Sequence, residues 1–297
     1  MIITAQNLAI LNRGFSAAFT KGFSGVSPMR DKIATTVPSG TKTTDYPWIG
    51  KIPGLREWIG DRQVNNLTKH GYSITNKEFE STVGVDRNDI DDDQYGVYTP
   101  LMEMMGYNAA IHPDKLVFDL LAAGFATACY DGQYFFDTDH PVLDASGVPQ
   151  SVSNMQSGSG SPWFLLDTTR PLKPVIYQER KKPNFVALKK ETDENVFMRK
   201  EYIYGVDYRG NVGFGFWQMA FGSKDTLNDT NFNAAYAAMG AFKGDDAQPL
   251  GIMPNLLVVG PSNRAAAKAV IEAENNAAGA SNINFKAVEV LIVPWLA

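Results

Sequence analysis

Asp137, Asp139 and His140 stand close together in the chain, and carboxylate with imidazole is the donor set that holds a divalent ion or moves a proton. The same spacing serves a polar turn, in which aspartates accept from nearby backbone amides and Pro141 fixes the exit. With three histidines in the chain and no second group of ligands beside this one, the sequence favours the turn. The run Asp86, Asn88, Asp89, Asp91, Asp92, Asp93 has a calcium-loop flavour. An EF-hand loop, however, places Gly sixth and Glu twelfth, where this chain has Asp91 and Val97. An acidic run just ahead of a helix start complements the positive end of the helix dipole, or faces a basic patch on a partner. Cys129, on the apolar side of a predicted helix, is expected as a packed thiol rather than a nucleophile. The glycines from Gly210 to Gly215 sit inside a strand pattern, not between a strand and a helix, so a phosphate cradle is not expected. Arg180, Lys181 and Lys182 form the densest basic cluster, a pattern usual for a solvated face. No nucleophile elbow, P-loop, dinucleotide fingerprint or HExxH motif occurs, so no catalytic residue, cofactor site or metal ligand is assigned.

The elements that would position these groups follow from composition and period. At 297 residues, with 44% hydrophobic and 20% charged side chains, the chain can bury a sizeable core in two sub-domains or one domain with long excursions. A net charge of −5 provides no global basic field, which argues against tight DNA binding by phosphate neutralisation. One cysteine excludes an internal disulfide framework, and no segment reads as a signal peptide or a membrane span. The chain is therefore expected to fold where it is made.

Leu8, Leu11, Phe15, Ala18 and Phe19 recur at helical spacing, predicting an amphipathic helix whose apolar stripe needs a partner. Ser24 to Asp45 is polar and aperiodic and reads as an arm. Trp48, Ile49, Ile52, Leu55, Trp58 and Ile59 are large apolar residues in a segment broken by Gly and Pro, so something must cover them. Arg62–Leu67 and Tyr72–Val85 alternate as a long two-stranded excursion. Thr99 and Pro100 predict the start of a long helix with Leu101, Met104, Met105 and Ala109 on one face, a bend or restart at His112-Pro113-Asp114 and an end near Ala128. Ala145 to Pro162 reads as a flexible loop. Strands are predicted at Trp163–Asp167, Leu172–Glu179, Asn184–Leu188, Val196–Val206 and Gly213–Phe221. The last quarter alternates helix, strand, helix, strand: a helix capped by Thr230, Leu256–Val259, a helix from Ser262, and Ala287–Val293.

The chain resembles the major head subunit family of Mu-like phages over nearly its full length. The resemblance lies in Trp48-Ile49-Gly50-Lys51, Arg56-Glu57-Trp58, His70-Gly71-Tyr72 and Asn76-Lys77, then in Tyr130-Asp131-Gly132-Gln133, Phe135-Phe136 and Asp139-His140-Pro141. It continues through Arg170-Pro171-Leu172-Lys173-Pro174, Tyr177-Gln178-Glu179-Arg180 and Val196-Phe197-Met198. It implies an α+β chain with the Hong Kong 97 phage-type capsid fold. The parts would be an N-terminal arm (1–45), an E-loop hairpin (46–86), a peripheral domain with a long spine helix (87–225), and an α/β axial domain with a closing strand (226–297). The axial core itself is mapped to Thr226–Ala287.

The function so implied is a non-enzymatic major capsid protein, assembled in the host bacterial cytoplasm into pentamers and hexamers of an icosahedral head around double-stranded DNA. Expected partners are copies of itself, a separate scaffolding protein, a portal, a decoration protein, and DNA held by non-specific contact, with no membrane. Trp48, Leu55 and Trp58 are the expected inter-subunit contacts, because aromatic anchors dominate interface energies. The alternatives are an encapsulin-like compartment shell and a metal-dependent hydrolase built on Asp137, Asp139 and His140.

Overall fold

Thr4 caps the first helix, its hydroxyl accepting from the Asn7 amide at 3.2 Å, and α1 runs Ala5–Ser24. The fold is that of a computed structural model describing residues 4–47, 49, 71–92, 94–144, 146–190, 192–244, 247–276 and 278–296. After α1 come a 3₁₀ turn at Met29–Lys32, strands β1 (Ala34–Pro38), β2 (Thr43–Asp45), β3 (Ser73–Thr75) and β4 (Lys77–Asp86), helix α2 (Arg87–Asp91) and the long helix α3 (Thr99–Ala122). Then follow β5 (His140–Leu143), β6 (Pro149–Val152), β7 (Met155–Gln156), β8 (Trp163–Leu166), β9 (Val175–Leu188), α4 (Glu194–Arg199) and β10 (Glu201–Phe214). The chain closes with β11 (Ala220–Ser223), α5 (Asp229–Gly240), β12 (Leu256–Val259), a helical run from Pro261 to Glu272 containing α6 (Arg264–Ala267), and β13 (Glu289–Ile292).

Two sheets organise the molecule. The first has the order β1-β9-β10-β4 and is built on a long antiparallel hairpin, in which Phe214 pairs with Val175 and Ile203 with Leu188. Pro183 cannot donate to the ladder, and the register slips between Asp207 and Gly210, opposite it. A bulge thus carries β9 past the proline as one strand where two were predicted. The second sheet has the order β13-β12-β8-β11-β7, and its central strand β8 buries all four residues from Trp163 to Leu166. Phe232, Ala235 and Met239 of α5 and Ala267, Val270 and Ile271 of the later helical run are buried in the same core. This α/β layer draws β7, β8 and β11 from ahead of residue 226, so it is not confined to the last quarter of the chain.

The apolar stripe of α1 finds its partner inside the same chain. Leu8, Leu11, Phe15 and Ala18 pack with Val85, Ile90, Met102, Tyr202 and Tyr204, and Phe19 packs with Met105, Ala109 and Val206. Gly22 and Gly106 let α1 and α3 touch backbone to backbone: a Cβ at Gly106 would lie 2.0 Å from the Phe19 carbonyl oxygen. That crossing turns α3 so that Met102, Met105 and Ala109 face inward while Leu101 and Met104, expected on the buried face, are exposed. The helix also runs unbroken through Pro113. Its first turn is entered from a 3₁₀ turn through Tyr98, not capped by Thr99.

Four further expectations are corrected. Ser24–Asp45 is packed structure rather than an arm: β1 pairs in parallel with β9, from Ala34 beside Val175 to Pro38 beside Glu179. Thr36 and Pro38 face solvent, so an edge strand reads as a polar linker. Ala145–Pro162 contains β6 and β7, paired to β5 and β11. The predicted strand at Val196 begins at Glu201, because α4 occupies the turn of the long hairpin. Similarly, Asn228 rather than Thr230 caps α5, accepting from the Asn231 amide at 2.9 Å. The expected strand Arg62–Leu67 lies outside the described residues.

One buried ion pair fastens this N-terminal segment to the spine. Asp114 is 1% exposed, takes the Met29 amide at 2.7 Å and the Arg30 guanidinium at 2.8 Å, and Arg30 lies 5.1 Å over the Tyr177 ring. Removing one member of such a pair strands the other charge in low dielectric. Arg30→Ala is expected to destabilise the subunit by about 3 kcal/mol in urea unfolding, and Arg30→Met with Asp114→Leu to recover most of that. A cost below 0.5 kcal/mol for the single change would contradict this account of the latch.

Candidate functional surfaces

His140 turns inward and is fully buried, which removes it from any surface site with Asp137 and Asp139. Its Nδ1 lies 2.7 Å from Asp131 Oδ2, its Nε2 lies 3.2 Å from Asn154 Oδ1, and its ring stacks on Trp217 at 4.0 Å. Asp137 accepts from the backbone amides of Tyr134 and Thr138, as the polar-turn reading predicts, and Asp139 is exposed. Cys129 lies past the end of α3 rather than on its apolar side. Its Sγ sits 3.1 Å from Asp131 Oδ1. Burial first, then the adjoining Asp131 charge, push the thiol well above its ordinary range. Burial raises Asp131 as well, but hydrogen bonds from His140 and Cys129 outweigh it and hold the carboxyl below the usual range. Sequence reasoning named His140 and missed Asp131 and Asn154 as its partners, because spatial adjacency across the turn leaves no period to read.

The other chemical candidates dissolve into structure. Asp86 caps α2, accepting from the Asn88 amide at 2.7 Å, and Asp89 accepts from the Tyr98 hydroxyl, so the acidic run serves local helix starts. Lys181 pairs with Asp207 and Lys182 lies 3.9 Å from Glu179, leaving Arg180 without an ion-pair partner among the described residues. In the glycine-rich strand, a Cβ at Gly213 would collide with Ile74 at 2.4 Å; close packing, not anion binding, explains that residue.

Among the described residues, several large apolar side chains are left uncovered. Phe197 is 81% exposed and Met198 69%, both on α4 at the turn of the β9–β10 hairpin, with Val186 and Leu188 exposed near the end of β9. Val196, in contrast, is buried and pins α4 to the hairpin. A second exposed set, Val97, Leu101, Met104 and Tyr107, runs along the outer face of α3 and the turn before it. Ile283 and Met253 are exposed on loops flanking the second sheet. Trp48, Leu55 and Trp58 lie outside the described residues, while Ile49 is fully buried beside Tyr46 and Ile74. No helix among the described residues is long and apolar enough to cross a membrane.

The profile of a protein family described as Mu-like prophage major head subunit gpT matches residues 8–296. A relative from Haemophilus influenzae, the Mu-like prophage FluMu major head subunit, is 47% identical over 92% of this chain and 91% of its own. The subunit in the procapsid of bacteriophage JBD30 superposes with a TM-score of 0.88 at 50% identity, covering 99% of this chain and 100% of that one. The subunit of the JBD30 capsid decorated with minor capsid protein trimers superposes with a TM-score of 0.79 at 37% identity over 93% of each chain.

Proposed function

The chain belongs to the Mu-like prophage major head subunit family and is a major capsid protein of a Mu-like phage head, with the capsid fold of its relatives. From that premise we propose that copies of it form pentamers and hexamers closed into an icosahedral shell around double-stranded DNA. Superposition of almost the whole chain on a procapsid subunit is the observation that carries this reading. Relatives of this kind are structural head proteins. They support neither the encapsulin-like alternative nor the hydrolase alternative.

Multivalent burial is the proposed mechanism: each copy contributes modest contacts, and closure of the shell multiplies them. In this reading α1, α3 and the four-stranded sheet make the peripheral domain, and the five-stranded sheet with its helices makes the axial layer. Trp48, Leu55 and Trp58 are proposed as the inter-subunit contacts of the E-loop. The hairpin end carrying Phe197 and Met198 is a further contact, since none of the described residues covers those two side chains. A scaffolding protein, a portal and a trimeric minor capsid protein are proposed as partners; the JBD30 capsid decorated with such trimers supports the last.

DNA enclosure separates a phage head from a cargo compartment. Particles containing this chain, recovered from an induced lysogen and treated with nuclease, are expected to retain protected double-stranded DNA. Particles filled with protein and holding no protected DNA would overturn the assignment of contents.

A further inference from the structure

Cys129, Asp131 and His140 each offer a ligand atom, and the three atoms all lie within 4.8 Å of one another. We propose that Cys129 Sγ, an Asp131 carboxylate oxygen and His140 Nδ1 bind a divalent cation of the zinc class, fastening the loop after the spine helix to β5.

The surroundings of His140 support the site. Asn154 Nδ2 faces the carbonyls of Phe135 at 2.8 Å, Ala220 at 3.3 Å and Trp217 at 3.4 Å, so its amide orientation is fixed with Oδ1 toward the ring. The same Oδ1 takes the Asp137 amide at 2.9 Å. Without an ion the ring donates from Nδ1 to Asp131 Oδ2 at 2.7 Å; with an ion on Nδ1 the ring's hydrogen sits on Nε2, 3.2 Å from that Oδ1.

Two features favour the ion. A metal-bound histidine characteristically donates its other ring N–H to an oxygen of the surroundings, and Asn154 supplies that oxygen. Thiolate, imidazole and carboxylate together form a donor set suited to tetrahedral zinc. The backbone already sets the bite. Cys129 N donates to Gln133 O at 2.8 Å, Gly132 N to Cys129 O at 3.3 Å, and Gln133 N to Asp131 Oδ1 at 3.0 Å, so one tight turn presents both Cys129 and Asp131 to His140. Bonds of about 2.0 Å to nitrogen and oxygen and about 2.3 Å to sulfur ask the three side chains to open only slightly around the ion. Binding displaces the thiol proton to solvent and leaves the thiolate on the metal. Cys129 and His140 are both buried, with Trp217 stacked on the imidazole as part of an apolar shell.

Cobalt(II) added to the full-length, metal-stripped protein tests this. One equivalent should produce a thiolate-to-cobalt charge-transfer band with tetrahedral visible bands, and one equivalent of zinc should bleach both. Cys129→Ser should lose the charge-transfer band, and zinc should raise the unfolding temperature of the wild type but not of that variant. A wild-type protein that develops no thiolate–cobalt band, or a zinc-induced rise that persists in Cys129→Ser, would overturn the site.

Discussion

Gly106→Val is expected to lower the stability of the subunit by about 3 kcal/mol or more and to loosen α1 from the spine helix. A Cβ at this position would stand 2.0 Å from the Phe19 carbonyl oxygen and 2.9 Å from both the Phe19 carbonyl carbon and the Phe23 amide nitrogen. All three are backbone atoms of α1, so no side chain can swing aside. The reciprocal contact is as close: a Cβ at Gly22 would stand 1.9 Å from the Glu103 carbonyl oxygen. The helices must therefore part by about 1.5 Å to reach ordinary contact distance, and overpacking of this kind costs about 1–3 kcal/mol by itself. Parting them also wets the stripe of Leu8, Leu11, Phe15 and Phe19, and each buried side chain of that size is worth about 1.5–3 kcal/mol when fully covered. Gly14, on the open side of α1 with nothing near it, is the control: Gly14→Ala should be neutral or stabilising by up to about 1 kcal/mol. Urea unfolding followed by circular dichroism reads both variants. A Gly106→Val protein as stable as the wild type would show that the two helices do not meet through this crossing.

The same crossing explains a limit of the sequence. The spacing of Leu8, Leu11, Phe15, Ala18 and Phe19 announces a buried stripe, because a helix with one apolar face has one way to hide it. Leu101 and Met104 are as apolar as Met102 and Met105, and periodicity alone cannot rank them. Two small residues, Gly22 and Gly106, choose the face by permitting backbone contact. The buried strands β8 and β12 are legible as continuous apolar runs, and β13 nearly so. Strand β1 is not, since its threonines sit on an edge with one side toward water. The polar cluster was half legible: His140 stood out by type, yet its neighbours in sequence, Asp137 and Asp139, are not what its ring nitrogens meet. Asp131 and Asn154 reach it through a turn and a strand end that only the fold brings together.

The other large effect concerns assembly. Phe197 and Met198 sit side by side at the far end of a hairpin whose strands are 14 residues each, anchored by buried Val196 and themselves covered by none of the described residues. Intramolecular folding gives no reason to display a phenylalanine and a methionine there. Covering the pair on a neighbouring copy is worth about 1.5–3 kcal/mol for each fully buried side chain, and closure repeats the contact in every subunit. Introducing aspartate at both positions reverses that contribution, since each carboxylate would have to be desolvated at the contact. The isolated subunit should be indifferent, because both side chains are already in water.

Sedimentation velocity of the wild type and the Phe197→Asp/Met198→Asp variant, each produced with the phage's own head-assembly proteins, tests most directly whether exposed apolar surface on one copy is completed by another. The wild type is predicted to sediment as closed shells, and the variant as free subunits or small capsomers with an unchanged unfolding temperature. Shells formed by the variant in wild-type yield would contradict the account.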